Sequence, residues 1–229
     1  MPKIFTIGYD GFKLEDFIAV LKNNNVNAIV DVRIFPYPRF IIDYNAENLR
    51  CDLKEHGIEY RHYPKEFGDR QDDFSLYDIN NQLSFKLFSE LEQFKKGIMR
   101  LQKSIDSGYA IALMCAEKNL ADCHRAVLVG RELSKNGFDV YHILTKDKTI
   151  TEKEFEMSLV DKHFPKNNQS SDDGESDESL EDKIEKAFEL QGKKAAYTKN
   201  NIGLISNVIF SYMTLTALPV DLIQTQDNL

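Results

Sequence analysis

Short apolar runs and longer stretches of helical period succeed one another along the chain from Lys3 onward. Residues 3–7 form a first apolar-rich run closed by Gly8, and the pattern predicts a strand. Leu14, Phe17, Ile18 and Leu21 then fall at helical spacing over 14–23, and Asn23-Asn24-Asn25 ends that helix. Residues 28–32 predict a second buried strand leading to Arg33, after which Pro36 and Pro38 force an extended loop. A helix is expected over 45–56 with Gly57 at its C′ position, and a third, alternating strand over 58–63. Residues 64–81 are polar and broken by Gly68, as a loop with a short helix would be. Phe85, Phe88, Leu91, Phe94, Ile98 and Leu101 share a face and predict one long helix over 85–107.

The stretch 109–125, YAIALMCAEKNLADCHR, holds the chain together. Its first six residues read as a strand buried on both faces. Residues 118–122 read as a loop, and Asp122 as the N-cap of a helix beginning at Cys123-His124-Arg125 and running to Leu133. A fifth strand is expected over 139–144. A closing helix over 151–163 carries a capping box of Thr151 and Glu154. Strands alternating with helices imply βαβ units. The expected fold is α/β: a three-layer sandwich with a mostly parallel five-stranded sheet over 1–165, followed by a helical C-terminal tail.

Composition changes that picture mainly after Pro165. Residues 167–179 are rich in Ser, Asp and Glu and are expected to be a disordered linker, so the tail is expected over 181–229. Residues 202–220 carry no charge, but their Asn, Ser and Thr content favours a packing or oligomer helix over a membrane span. After Pro165 there are 11 acidic and 6 basic residues, so −5 of the net charge of −8 lies there. The totals show no basic nucleic-acid footprint. Three cysteines, an odd and low count, and an N-terminal segment that enters a strand without a targeting pattern lead us to expect a cytoplasmic protein with free thiols.

The candidate chemistry falls at predicted strand ends, the edge where open α/β sheets bind ligands. Cys115, Glu117, Cys123 and His124 are the candidate catalytic groups. Gly8, Tyr9, Arg33, Arg39 and Arg125 are the candidate substrate-binding residues, the arginines suiting a phosphate or carboxylate through bidentate bonds. Asp31 and Glu117 are read as groups that orient an Arg or His, and His62 and His142 as core residues. In the first helical turn, Cys123 would have its thiolate stabilised by the backbone N–H groups and Arg125; burial would oppose this, and Cys123 or Cys115 is expected to react with iodoacetamide ahead of Cys51. A metal site is disfavoured by spacing, because Cys123-His124 is the one close pair of ligands in the stretch.

Taken together, Thr6-Ile7-Gly8-Tyr9, Asp31-Val32-Arg33 with Pro36 and Arg39, Ile58 with Tyr60, Phe67-Gly68, Cys115-Ala116-Glu117, Cys123-His124-Arg125 and His142-Ile143 resemble the domain-of-unknown-function family DUF488. The resemblance covers about residues 3–165. The family usually has His at the position of Tyr9. The resemblance implies a compact α/β domain and supplies neither a reaction nor a cofactor. Three functions follow from the residues. The first is an enzyme binding a phosphorylated or other anionic substrate, a nucleotide among the candidates. The second is rhodanese-like thiol or sulfur-transfer chemistry. The third is a non-catalytic module binding nucleic acid or protein, with the tail as a route to oligomers.

Overall fold

The computed structural model describes residues 1–165 and 179–199. Of the expected linker over 167–179, all but Ser179 lies outside the described residues, as does the uncharged stretch 202–220. Among the described residues, six strands form one mixed sheet: β1 (Lys3–Gly8), β2 (Ala28–Asp31), β3 (Glu59–His62), β4 (Ile111–Cys115), β5 (Asp139–Thr145) and β6 (Lys148–Thr151). Their order is β3-β2-β4-β1-β5-β6. The first five run parallel, and β6 is antiparallel to β5. β4 is buried at every position, as its continuous apolar sequence requires of a central parallel strand.

β6 adds a strand to the five expected. Its four residues, Lys-Thr-Ile-Thr, are too short and too polar to stand out as an apolar run, and it forms as the return arm of a hairpin after Lys146-Asp147.

The helices α1 (Leu14–Asn23) and α2 (Ala46–Glu55) cover one face of the sheet. Phe17, Leu21, Leu49 and Leu53 pack there with Ile7, Ile29 and Met114. The short α3 (Pro64–Phe67), α4 (Phe85–Glu90), α5 (Glu92–Asp106) and α6 (Arg131–Lys135) serve the other face. There Phe67, Phe94, Leu101 and Leu133 meet Val30, Ile111 and Leu113. The long helix expected over 85–107 is broken at Leu91, which is extended (φ −64°, ψ 140°). An unbroken helix would set Phe88 and Phe94 about 120° apart around its axis. The break brings their rings to 5.3 Å, edge to face, in the same core.

Two further helices complete that layer. α7 (Glu152–His163) opens with the expected Thr151–Glu154 capping box. α8 (Leu180–Ala195) packs Ala187 and Phe188 against Phe155, Leu159 and Val127. Ser179 caps it, and Gln191 Nε2 donates to the Ala121 carbonyl oxygen at 2.7 Å. Among the described residues, no helix is long and apolar enough to cross a membrane.

Candidate functional site

The chain leaves β1 toward α1 on one face of the sheet and leaves the adjacent β4 toward α6 on the other. Loops diverging from neighbouring strands open the carboxyl edge between them, the usual ligand position in such sheets. Tyr9 N–H donates to the Cys115 carbonyl oxygen at 3.1 Å and Asp10 N–H to that of Ala116 at 3.0 Å, so the two loops begin side by side. Gly8 lies at their contact. A Cβ there would fall on the Glu117 carbonyl oxygen and within 2.9 Å of Arg125 Nη2, so the absence of a side chain is what lets the β4 loop cross β1.

Beyond β4, residues 120–122 make a 3₁₀ turn, and Cys123 is extended (φ −116°, ψ 127°). The helix then opens as a π-helical turn over Arg125–Gly130 before α6. Asp122 is therefore not its N-cap, and Cys123 sits ahead of the helix rather than within its first turn. The Cys123 carbonyl oxygen accepts from both Ala126 N–H and Val127 N–H, each at 3.1 Å, and the side chain turns inward.

This path folds the 115–124 segment back on itself and brings four of its side chains together. Ligand-type atoms of Cys115, Glu117, Cys123 and His124 all lie within 4.8 Å of one another. Cys115 Sγ is 3.8 Å from His124 Nδ1, and Cys123 Sγ is 2.8 Å from Glu117 Oε2. Cys115 and Cys123 are 3% and 0% exposed, and His124 is buried, whereas Glu117 is exposed. A hydrogen bond with Cys123 and burial push the Cys115 thiol well up. Burial opposes charge on Cys123 too, but Cys115, the Arg125 charge and His124 outweigh it and bring that thiol to about 6. His124 rises to about 9 against burial, because the Cys123 sulfur holds its proton. Burial would raise the Glu117 carboxyl, yet bonding from the two thiols lowers it. A bare thiolate and a bare carboxylate repel at 2.8 Å, so a proton or another cation must lie between Cys123 and Glu117.

Arg33 and Arg125 follow β2 and β4 at the carboxyl edge, and both are largely engaged by the protein itself. Arg33 is clamped by Asp31: Nη2 donates to Asp31 Oδ2 at 2.6 Å and Nε to Oδ1 at 2.9 Å. Asp31 also accepts from Tyr60 Oη at 2.6 Å, so it is the orienting group the sequence suggested. Burial opposes the Arg33 charge, but Asp31 holds it firmly protonated. Tyr9 stacks on Tyr44 at 4.2 Å, with the Arg33 guanidinium 5.0 Å from its ring centre. Burial raises the Tyr9 hydroxyl despite that cation. Arg125 is fully buried; its Nη1 donates to the Glu117 carbonyl oxygen at 2.6 Å. Among the described residues it pairs with no carboxylate. Arg39 is exposed in the Pro36–Pro38 loop, beside the exposed Phe35, Tyr37 and Phe40, and does not join the buried group.

Three N–H-bearing atoms at this edge are buried without a partner among the described residues: Arg33 Nη1, His124 Nε2 and Arg125 Nε. A groove of 1050 Å³, lined by Phe85, Met99, Arg131 and Phe188 among others, lies elsewhere, between α4, α5 and α8.

One buried network was not legible as a unit in the sequence. Thr6 Oγ1 and His142 Nδ1 share a hydrogen bond at 2.8 Å, and His142 Nε2 meets Glu152 Oε2 at 2.7 Å. All three are buried, so the network ties β1, β5 and α7 together. His142 is thus the core residue expected. Glu152 carried no signal of its own, since an acid in the first turn of a helix is ordinary.

The fold is that of an α/β protein, and it gathers cysteine and arginine side chains at the carboxyl edge of its sheet. The chain belongs to the DUF488 family, described as a domain of unknown function; the family's pattern matches residues 13–131, about half of the sequence. None of the curated proteins and none of the solved structures compared with it is a match.

Proposed function

We propose that the chain is an enzyme whose substrate is a phosphorylated or otherwise anionic small molecule, a nucleotide among the candidates, bound at the carboxyl edge of the sheet. The observation that carries this reading is the set of three open donors, Arg33 Nη1, His124 Nε2 and Arg125 Nε. A buried donor without a partner costs about 1–3 kcal/mol. Three of them on residues that follow adjacent strands call for acceptors from outside the chain, and an anion has acceptor oxygens to offer. Glu117, the exposed member of the four-residue cluster, is the group such a substrate meets first, and it is the candidate for moving a proton.

The test is a thermal melt of the full chain in inorganic phosphate, pyrophosphate and nucleoside monophosphates at fixed ionic strength. The melting temperature should climb with the logarithm of concentration for at least one of them. Arg125→Lys keeps the charge, loses the planar fork and should abolish the climb. No anion raising the midpoint above the chloride control would overturn the reading.

A further inference from the structure

We propose that Cys115, Glu117, Cys123 and His124 together bind one zinc-class divalent cation. The inference stands on geometry and donor chemistry, independently of the anionic substrate. A tetrahedral zinc ion, with Zn–S of about 2.3 Å and Zn–N or Zn–O of about 2.0–2.1 Å, holds its ligand atoms about 3.5–3.8 Å apart. Cys115 Sγ and His124 Nδ1 are already at 3.8 Å, and all four ligand atoms lie within 4.8 Å of one another. Cys123 Sγ and Glu117 Oε2 need to part by less than about 1 Å from their 2.8 Å contact. A cation placed between that sulfur and that carboxylate would take the place of the thiol proton that joins them in its absence.

The ligand set chooses the metal. Two thiolates with an imidazole favour zinc and disfavour magnesium or calcium, which take oxygen. The alternative for two buried cysteines is simple packing, and both do lie against the core. Packing alone does not account for an imidazole and a carboxylate turned onto the two sulfurs. Two thiolates and a carboxylate around a dication leave one negative charge, and the Arg125 guanidinium, which pairs with no carboxylate among the described residues, is held by the Glu117 carbonyl oxygen beside them. With Nδ1 on the metal, the His124 ring proton resides on Nε2, the nitrogen left without a partner. Glu117, as the exposed ligand, is the one that a water or substrate can displace.

The experiment uses the full chain with Zn²⁺ and Co²⁺ as probes. Zinc content after dialysis is measured by plasma mass spectrometry, and Co²⁺ is titrated into the metal-free chain while its absorption is followed. The expected result is one zinc per chain and the intense visible bands of tetrahedral cobalt with a thiolate-to-cobalt charge-transfer band. Cys51→Ala should bind as the parent does, Cys115→Ser and Cys123→Ser at least about tenfold more weakly, and Glu117→Gln more weakly with sulfur ligation kept. Where a Cys variant fails to fold, the cobalt spectrum of the parent chain still reads sulfur ligation directly. A parent chain holding less than a tenth of an equivalent of zinc, with no thiolate band on cobalt, overturns the proposal. So does Cys123→Ser binding as tightly as the parent. Zinc binding without anion stabilisation removes the substrate reading alone, and anion stabilisation without zinc removes the metal alone.

Discussion

Replacing Gly8 by Ala isolates the contact on which the site is built. Gly8 does not lie in the left-handed region, so alanine meets no backbone strain there and the whole effect comes from the added methyl. That methyl would fall on the Glu117 carbonyl oxygen and stand 2.8 Å from its carbon. Non-bonded carbons rest at about 3.5–4.0 Å, so the Glu117 peptide must retreat by about 1 Å. Its oxygen accepts from Arg125 Nη1 at 2.6 Å, and a bond from a charged donor contributes about 1.5–3 kcal/mol. Overpacking adds about 1–3 kcal/mol. The expected loss is about 2.5–6 kcal/mol, or roughly 5–24 °C in melting temperature for a domain of this size. The assay is urea unfolding at constant slope, with Gly57→Ala as the control. Gly57 has φ +74° and nothing within 4 Å of an added Cβ, so only backbone strain of about 1–2 kcal/mol applies there. A Gly8→Ala loss below about 1 kcal/mol would refute the idea that the β4 loop is pinned across β1 at this point.

Asp31→Asn leaves the buried Arg33 without its counter-charge and should cost about 3–5 kcal/mol, read from the denaturant midpoint; less than about 1 kcal/mol would show that Arg33 finds another partner. Iodoacetamide should modify the exposed Cys51 in the folded chain well before Cys115 or Cys123, and peptide mass spectrometry showing either buried thiol labelled first would contradict the burial described. A chain ending at 165 should still melt cooperatively, but at least about 4 °C below one ending at 199, because Phe188 no longer covers Phe155 and Val127; equal midpoints would mean that α8 adds nothing to the core.

The fold was legible where sequence period and burial coincide. Residues 28–30 and 111–115 are apolar because parallel strands are covered on both faces, and the helices α1 and α2 carry clean apolar stripes. Legibility failed where tertiary packing overrode local pattern, as at Leu91, whose extended backbone interrupts an apolar series that spacing alone joins into one helix. The strand-end residues of the site could be placed because chemistry collects at the carboxyl edge. Their partners could not be: spacing rules count ligands along the chain, and Cys115 meets His124 only because the intervening loop folds back on itself. For the same reason Arg33 and Arg125 looked like a matched pair. One is neutralised by a residue two positions away and the other is held by a backbone carbonyl, facts that only the fold supplies.

The π-helical turn over Arg125–Gly130 carries one residue more per turn than the helix it leads into, and it sets the phase of everything after it. Because the wider turn spends about one more residue on the same rotation, the segment holds an extra residue locally and leaves the downstream helix in phase, with Leu133 on the core and the His124 imidazole on the Cys115 sulfur. Removing one residue there would let ordinary helical bonding close over the gap with that phase kept, whereas adding one to the helix that follows would turn everything beyond it by about 100°. The chain should therefore accept a one-residue deletion within 125–130 more readily than a one-residue insertion after it, an asymmetry that a regular helix would not show.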